Sequence, residues 1–188
     1  MKDEDTDYLK ITRDILMMAG NEHTEVEIKN NRSSYYFFMN DIIYLSKEQL
    51  NKNEFIENLI LISHEIIHSL QSKVLHVINF ILSNIEIILF LFLIIANAFV
   101  SKIWTGFEYG YLTVSIISII TRFFIEMEAV IKSIKLVRKR LKSNDIKYKY
   151  NVEKINKFKT ELLTTFPIMI LSLFGFKILR IVIVALIN

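Results

Sequence analysis

Leu61-Ile62-Ser63-His64-Glu65-Ile66-Ile67-His68-Ser69-Leu70-Gln71 holds two imidazoles four residues apart, with a carboxylate directly after the first. On an α-helix that spacing puts His64 and His68 on one face, where both can reach a single Zn²⁺. Glu65 then leans toward a water at the open coordination position. Leu59, Ile60, Ile62, Ile66, Ile67 and Leu70 around them supply a wall of low dielectric that strengthens the pull of a metal on its water. With four His and fourteen Glu in the chain, a chance match is expected at about the one-in-a-hundred level. The ordinary alternative is two histidines packed on a buried helix.

Zinc hydrolases use three protein ligands and leave one position for water, so a third group must come from elsewhere. Cysteine is absent, which excludes thiolate ligands, thiolate catalysis and disulfides. His76 lies two turns beyond His68, too far along one straight helix to join the same ion. Carboxylates remain. Glu126 and Glu128, in Phe124-Ile125-Glu126-Met127-Glu128-Ala129, are placed where a second apolar stretch returns to the side from which a first one left. Glu86 competes, but it is 18 residues after His68, about 27 Å along a continuous helix. It is expected instead to make a polar contact among apolar segments, with Arg122 or with Asn84 and Asn79.

Those apolar stretches dominate the rest of the chain. Hydrophobic residues make up 52% of the 188, with a mean hydropathy of +0.35, which is unlike a purely soluble protein. Residues 74–100 surround the run Ile87-Ile88-Leu89-Phe90-Leu91-Phe92-Leu93-Ile94-Ile95 and contain a single charge, Glu86. About 20 apolar residues cross a bilayer as a helix, so this stretch can span. Residues 109–125 form a shorter second stretch carrying Arg122. Residues 163–187 form a third, whose Lys177 and Arg180 must snorkel or face protein. One proline and four glycines favour long helices over a many-stranded sheet.

Charge gives an orientation. Residues 1–73 hold eight Lys/Arg against thirteen Asp/Glu, and residues 126–163 hold eleven against five. Lys132, Lys135, Arg138, Lys139, Arg140 and Lys142 follow the second stretch, so the positive-inside bias makes that end cytoplasmic and, two crossings back, the N-terminal region as well. The loop at residues 101–108 is then external, with Trp104, Tyr109 and Tyr111 in an interfacial aromatic belt. The acidic start Met1-Lys2-Asp3-Glu4-Asp5 lacks the pattern of a cleavable signal, so none is expected. A net charge of +3 is too small to argue for nucleic acid.

Ahead of the histidine helix, Tyr8, Leu9, Ile11, Ile15, Leu16 and Met18 recur at helical spacing and Gly20 supplies a stop. Thr24–Ile28 alternates polar and apolar residues. Tyr35–Phe38 and Ile42–Leu45 are β-prone, and Asn30-Asn31-Arg32 offers a turn, so a ribbon of two or three strands is expected. Ser46 with Gln49, or Asn53 with Glu54 and Glu57, can open the next helix. His23 is expected on the surface of the ribbon and His76 at the membrane boundary.

In these motifs the chain resembles the bacterial membrane-bound neutral zinc metallopeptidases of the YugP type. That family has an active-site helix of the form His-Glu-x-Gly-His-Ala-x-Gln, then membrane spans, then a segment of the form Val-Glu-Phe-Asp-Ala-Ser whose Glu is the third zinc ligand. His64, Glu65, His68 and Gln71 stand at the matching positions of the first motif. Ile125-Glu126-Met127-Glu128-Ala129 is similar to the second, and Ile43-Tyr44-Leu45-Ser46 to the strand before the helix. The family's Gly and Ala are Ile67 and Ser69 here, Glu128-Ala129-Val130 replaces Asp-Ala-Ser, and the family's N-terminal membrane helix has no counterpart.

The resemblance implies a mainly α, membrane-embedded zinc metallopeptidase with a zincin-like helix and a small N-terminal helix plus β-ribbon. His64, His68 and Glu126 are its metal ligands, Glu65 is its general base and Zn²⁺ is its cofactor. Its partners are a peptide or protein substrate and the lipid bilayer, and the site is on the cytoplasmic side. The expected organisation is an N-terminal helix and ribbon over 1–53, the active-site helix over 54–73 and a two-span hairpin over 74–125. The third-ligand helix and basic segment follow over 126–162, and a final span over 163–188. An intramembrane site-2-type protease also uses His-Glu-x-x-His but needs an Asp in a later span, and no Asp follows Asp145. A non-catalytic relative, acting as a partner or structural subunit, is the other class of answer.

Overall fold

The structure, a computed structural model, describes residues 2–99, 105–142, 153, 155–157, 160 and 174–186. Residues 101–104 of the expected external loop, Trp104 among them, lie outside the described residues, as do Asp145 and residues 163–173 of the third apolar stretch. The chain divides into two compact units, one made of residues Met1–Ser72 and Ile125–Glu161, the other of Lys73–Phe124 and Leu162–Asn188.

The first unit begins with helix α1 (Lys2–Met18). Gly20 ends it at φ +78°, where the Gly20 amide donates to Met17 O and the Asn21 amide to Leu16 O, both at 3.0 Å. This is the paired closure that a left-handed residue makes possible at a helix C-terminus. Three strands follow: β1 (Glu25–Lys29), β2 (Tyr35–Phe37) and β3 (Ile42–Ser46). They form one sheet in the order β1-β3-β2, with β1 parallel and β2 antiparallel to β3.

The expected ribbon is therefore corrected to a mixed sheet. Asn30-Asn31-Arg32 does not join neighbouring strands, because β3 inserts between the two strands that precede it. The cause is apolar: Ile43 and Leu45 are fully buried, and a strand with that much buried surface takes the central place, hydrogen-bonded on both edges. Asp41 holds the turn into β3 at φ +59°, and its carboxylate accepts from Thr24 Oγ1 at 2.8 Å and Tyr36 OH at 2.9 Å.

The Ser46 start is used as expected, and the second falls one residue later: Asn53 closes the preceding helix, and Glu54 opens the next one. Ser46 caps α2 (Lys47–Lys52) by accepting from the Gln49 amide at 3.2 Å. Glu54 and Glu57 form a reciprocal capping box at the start of α3 (Phe55–Leu70). One face of α3 carries Ile56, Leu59, Ile62 and Ile66 into a core that includes Ile15 and Leu16 of α1 and Ile43 and Leu45 of β3.

The core is completed by the latter part of α5 (Thr105–Lys142), through Ala129, Ile134, Val137 and Leu141. The basic run is thus one side of an amphipathic segment. Arg140 pairs with Asp14 of α1 at 3.0 Å and Lys132 with Glu128.

In the second unit α4 (Lys73–Phe99) is, among the described residues, the one helix long and apolar enough to cross a membrane. Ile78, Ile81, Ile88, Leu91 and Ile95 on it are exposed. The second apolar stretch, 109–125, lies within the 38-residue α5 and is continuous there with the basic segment. Residues 174–186 are helical.

Inside this unit Glu86 is fully buried, and its partner is Arg180, not Arg122, Asn84 or Asn79. The guanidinium donates to both carboxylate oxygens, from Nε at 2.8 Å and from Nη2 at 2.6 Å, and Tyr111 OH adds a contact at 3.3 Å. Arg180 wins because its planar fork satisfies two oxygens at once. Lys177 faces protein too, donating to Ser83 Oγ at 3.1 Å and to Ser118 Oγ.

Candidate metal centre

The amphipathic pattern of α3 sets its apolar side against the sheet, and it packs on both β2 and β3. The helix is therefore held in rotation, and His64 and His68, one turn apart, emerge together. Their Nε2 atoms are 3.0 Å from each other. Glu126, one residue into the part of α5 that belongs to this unit, brings Oε2 to 3.4 Å from His64 Nε2 and 3.6 Å from His68 Nε2.

These three side chains form a group that can hold a metal ion. Bonds of 2.0–2.2 Å to a tetrahedral ion separate its ligand atoms by about 3.3 Å. Separations of 3.0, 3.4 and 3.6 Å bracket that edge. Two nitrogens and one oxygen also suit a borderline cation better than a hard one such as Mg²⁺.

The third carboxylate choice follows from helix geometry. Residues two apart on an α-helix point about 200° apart, so Glu126 and Glu128 cannot both face the imidazoles. Glu128 bonds Gln71 and Lys132 instead. Lys132 holds its carboxyl below the usual range, against the opposing effect of burial and with help from Gln71. Glu86 belongs to the second unit and is taken up by Arg180. His23 is exposed, as expected of a surface residue, and His76 is buried at the start of α4.

Glu65 is only 6% exposed. Burial pushes its carboxyl above the ordinary value. The nearby imidazoles of His64 and His68 pull the other way, Glu126 pushes up again, and the backbone of Tyr36 in β2 contributes a hydrogen bond that favours the ionised form. Burial also opposes charging of His68, yet the hydrogen bond to Glu126 and the charges of Glu65 and Glu126 carry its pKa above the usual imidazole range. A carboxyl raised by burial beside a cluster of metal-ligating atoms is placed to take up and release a proton.

Two participants had no assigned part in the sequence. Gln71 was visible only as a motif position, and its side chain bonds both His68 and α5. Ser69, in the place of a small apolar residue, donates to Ile66 O at 2.8 Å and accepts from Asn21 Nδ2 at 3.0 Å, which fastens the α1–β1 connection to the histidine helix. No family model, curated protein or solved structure matches this chain.

Proposed function

We propose that this protein is a membrane-bound zinc metallopeptidase that hydrolyses peptide bonds, with its site on the cytoplasmic side. The observation that carries this is the convergence of His64 Nε2, His68 Nε2 and Glu126 Oε2 beside the buried carboxyl of Glu65. The resemblance of the two motifs to YugP-type metallopeptidases supports the substrate class, and the apolar length of α4 supports the membrane.

His64, His68 and Glu126 would hold the ion. When bound, Zn²⁺ supplies a Lewis acid that polarises a carbonyl and lowers the pKa of water toward about 7. The remaining chemistry belongs to the chain. Glu65 accepts the proton of the attacking water and returns it to the leaving amine, a double task suited to a carboxyl raised by burial. The side chains of His64, His68 and Glu126 are 22%, 10% and 11% exposed, and this burial strengthens each electrostatic contact.

The test uses the purified full chain in detergent, assayed for zinc and for cleavage of an unstructured peptide with and without chelator. Hydrolysis that chelator abolishes and zinc restores is expected. Glu65→Gln should keep its zinc and lose about 10²- to 10⁴-fold in turnover, the usual contribution of a general base. Full activity in that variant would remove Glu65 from its role. Zinc held by the wild type with no hydrolysis of any peptide would assign the ion a structural part, as in a non-catalytic relative.

A further inference from the structure

Gln71 closes α3 with its backbone and reaches back with its side chain. Its amide nitrogen donates to Ile67 O at 3.1 Å and to His68 O at 3.3 Å as the helix ends. Its side-chain Oε1 lies 2.9 Å from His68 Nδ1, and its Nε2 lies 2.8 Å from Ile125 O and 3.0 Å from Glu128 Oε2. Glu128 is paired in turn with Lys132, one turn further along α5.

Donor and acceptor roles in this chain of contacts are forced. A backbone carbonyl and an ionised carboxylate only accept, so the NH₂ end of Gln71 must face Ile125 and Glu128, and its carbonyl end must face His68. An amide oxygen only accepts, so His68 Nδ1 must carry the proton. The neutral ring then has its lone pair on Nε2, the atom that points at His64 and Glu126. His64 has no such partner for its other nitrogen among the described residues. One imidazole is therefore fixed in both rotation and tautomer by the same side chain that ties it to the residue before Glu126.

We infer that Gln71 is a positioning residue for the metal centre: it selects the metal-ready tautomer of His68 and, through Ile125 and Glu128, sets the distance between the two imidazoles and Glu126. This rests on the metal site proposed above. It adds to that site a device joining ligands 58 residues apart in sequence, from His68 to Glu126. Loss of an outer partner of a ligating histidine weakens metal binding by about 10- to 100-fold in general.

The experiment measures zinc affinity of the full chain in detergent by competition with a chromophoric chelator, beside ¹⁵N spectra of the histidine side chains in the metal-free protein at a pH high enough for the His68 ring to be neutral. Gln71→Met keeps length and apolar volume but no hydrogen bond, and is expected to bind zinc about 10- to 100-fold more weakly and to show His68 as a mixture of tautomers. Gln71→Glu with Glu128→Gln exchanges amide and carboxylate. It keeps an acceptor for Nδ1–H and a donor between the two side chains but sets a carboxylate oxygen against Ile125 O, so it should recover the single tautomer without restoring the tie to Ile125. A merely structural role would lower the unfolding midpoint without changing the tautomer, which the spectra read directly. Wild-type zinc binding matched by Gln71→Met, or a single Nδ1–H tautomer retained in that variant, would overturn the proposal while leaving the metal site standing. A wild-type chain that binds no zinc would overturn both.

Discussion

Burying Glu65 has a thermodynamic consequence apart from the role proposed for it. Its carboxyl is pushed above the ordinary range chiefly by burial. The fold therefore favours the protonated form, and this contribution to stability is complete below the unfolded pKa of about 4.3 and is lost as pH rises through the folded value. In the metal-free chain Glu65→Gln should stabilise the fold at pH 7 to 8 by about 1 kcal/mol, with the gain vanishing near pH 4. Urea unfolding of both proteins across that range, with chelator present, checks it; a gain independent of pH would exclude the carboxyl as its source. At Gly20, φ +78° requires a backbone state that costs other residues about 1–2 kcal/mol. Gly20→Ala should lower stability by about that amount, measured in the same way. The His64–His68 spacing was legible because a single helix defines it. The choice between Glu126 and Glu128 depends on the rotation of α5, which Ala129, Ile134 and Val137 set by packing in the core. The part played by Gln71 needs two elements at once, and no local pattern encodes it.

Among the elements, boundaries were written in local chemistry and partnerships were not. Gly20, Ser46 and the Glu54–Glu57 box mark where helices stop and start, because each satisfies backbone groups within a few residues of itself. The order of the strands is set by how much of Ile43 and Leu45 must be covered, a property of the whole core. Glu86 and Arg180 are 94 residues apart, so each was visible only as an isolated charge in an apolar run. Their fork lies inside the second unit with Tyr111 in contact, and Leu93, Tyr111 and Val184 form an apolar cluster in the same unit. Breaking a buried pair strands a charge, so Glu86→Gln should cost about 3 kcal/mol. Replacing both residues, Glu86→Met with Arg180→Met, should recover much of that loss. Thermal unfolding in detergent reads both, and a double variant as unstable as the single one would show that the pair contributes net stability.

At the scale of the molecule, α4 presents more apolar surface than water tolerates. Ile88 is 65% exposed and Ile95 58%, on a helix with 25 residues of spanning composition. Contiguous apolar patches of this kind are covered by lipid or by another protein. If lipid covers it, Ile88→Lys should raise the cost of insertion by about 2.5–3.5 kcal/mol, seen as a smaller fraction of chain in alkali-washed membranes. An unchanged fraction would point to a protein cover. Composition made this helix legible from the sequence, since a run such as Ile87–Ile95 needs no partner to declare itself.

The division of the ligands between α3 and α5 also governs the order in which the protein can be made. A ribosome that has released residues 1–99 has supplied His64 and His68 but not Glu126. The nascent chain at that stage offers only two of the three groups that could hold a metal ion, and Gln71 has neither Ile125 nor Glu128 to grasp. The three-ligand group therefore exists only after α5 has been made. Any chemistry that needs all three groups is denied to the polypeptide until Glu126 has emerged and α5 has packed.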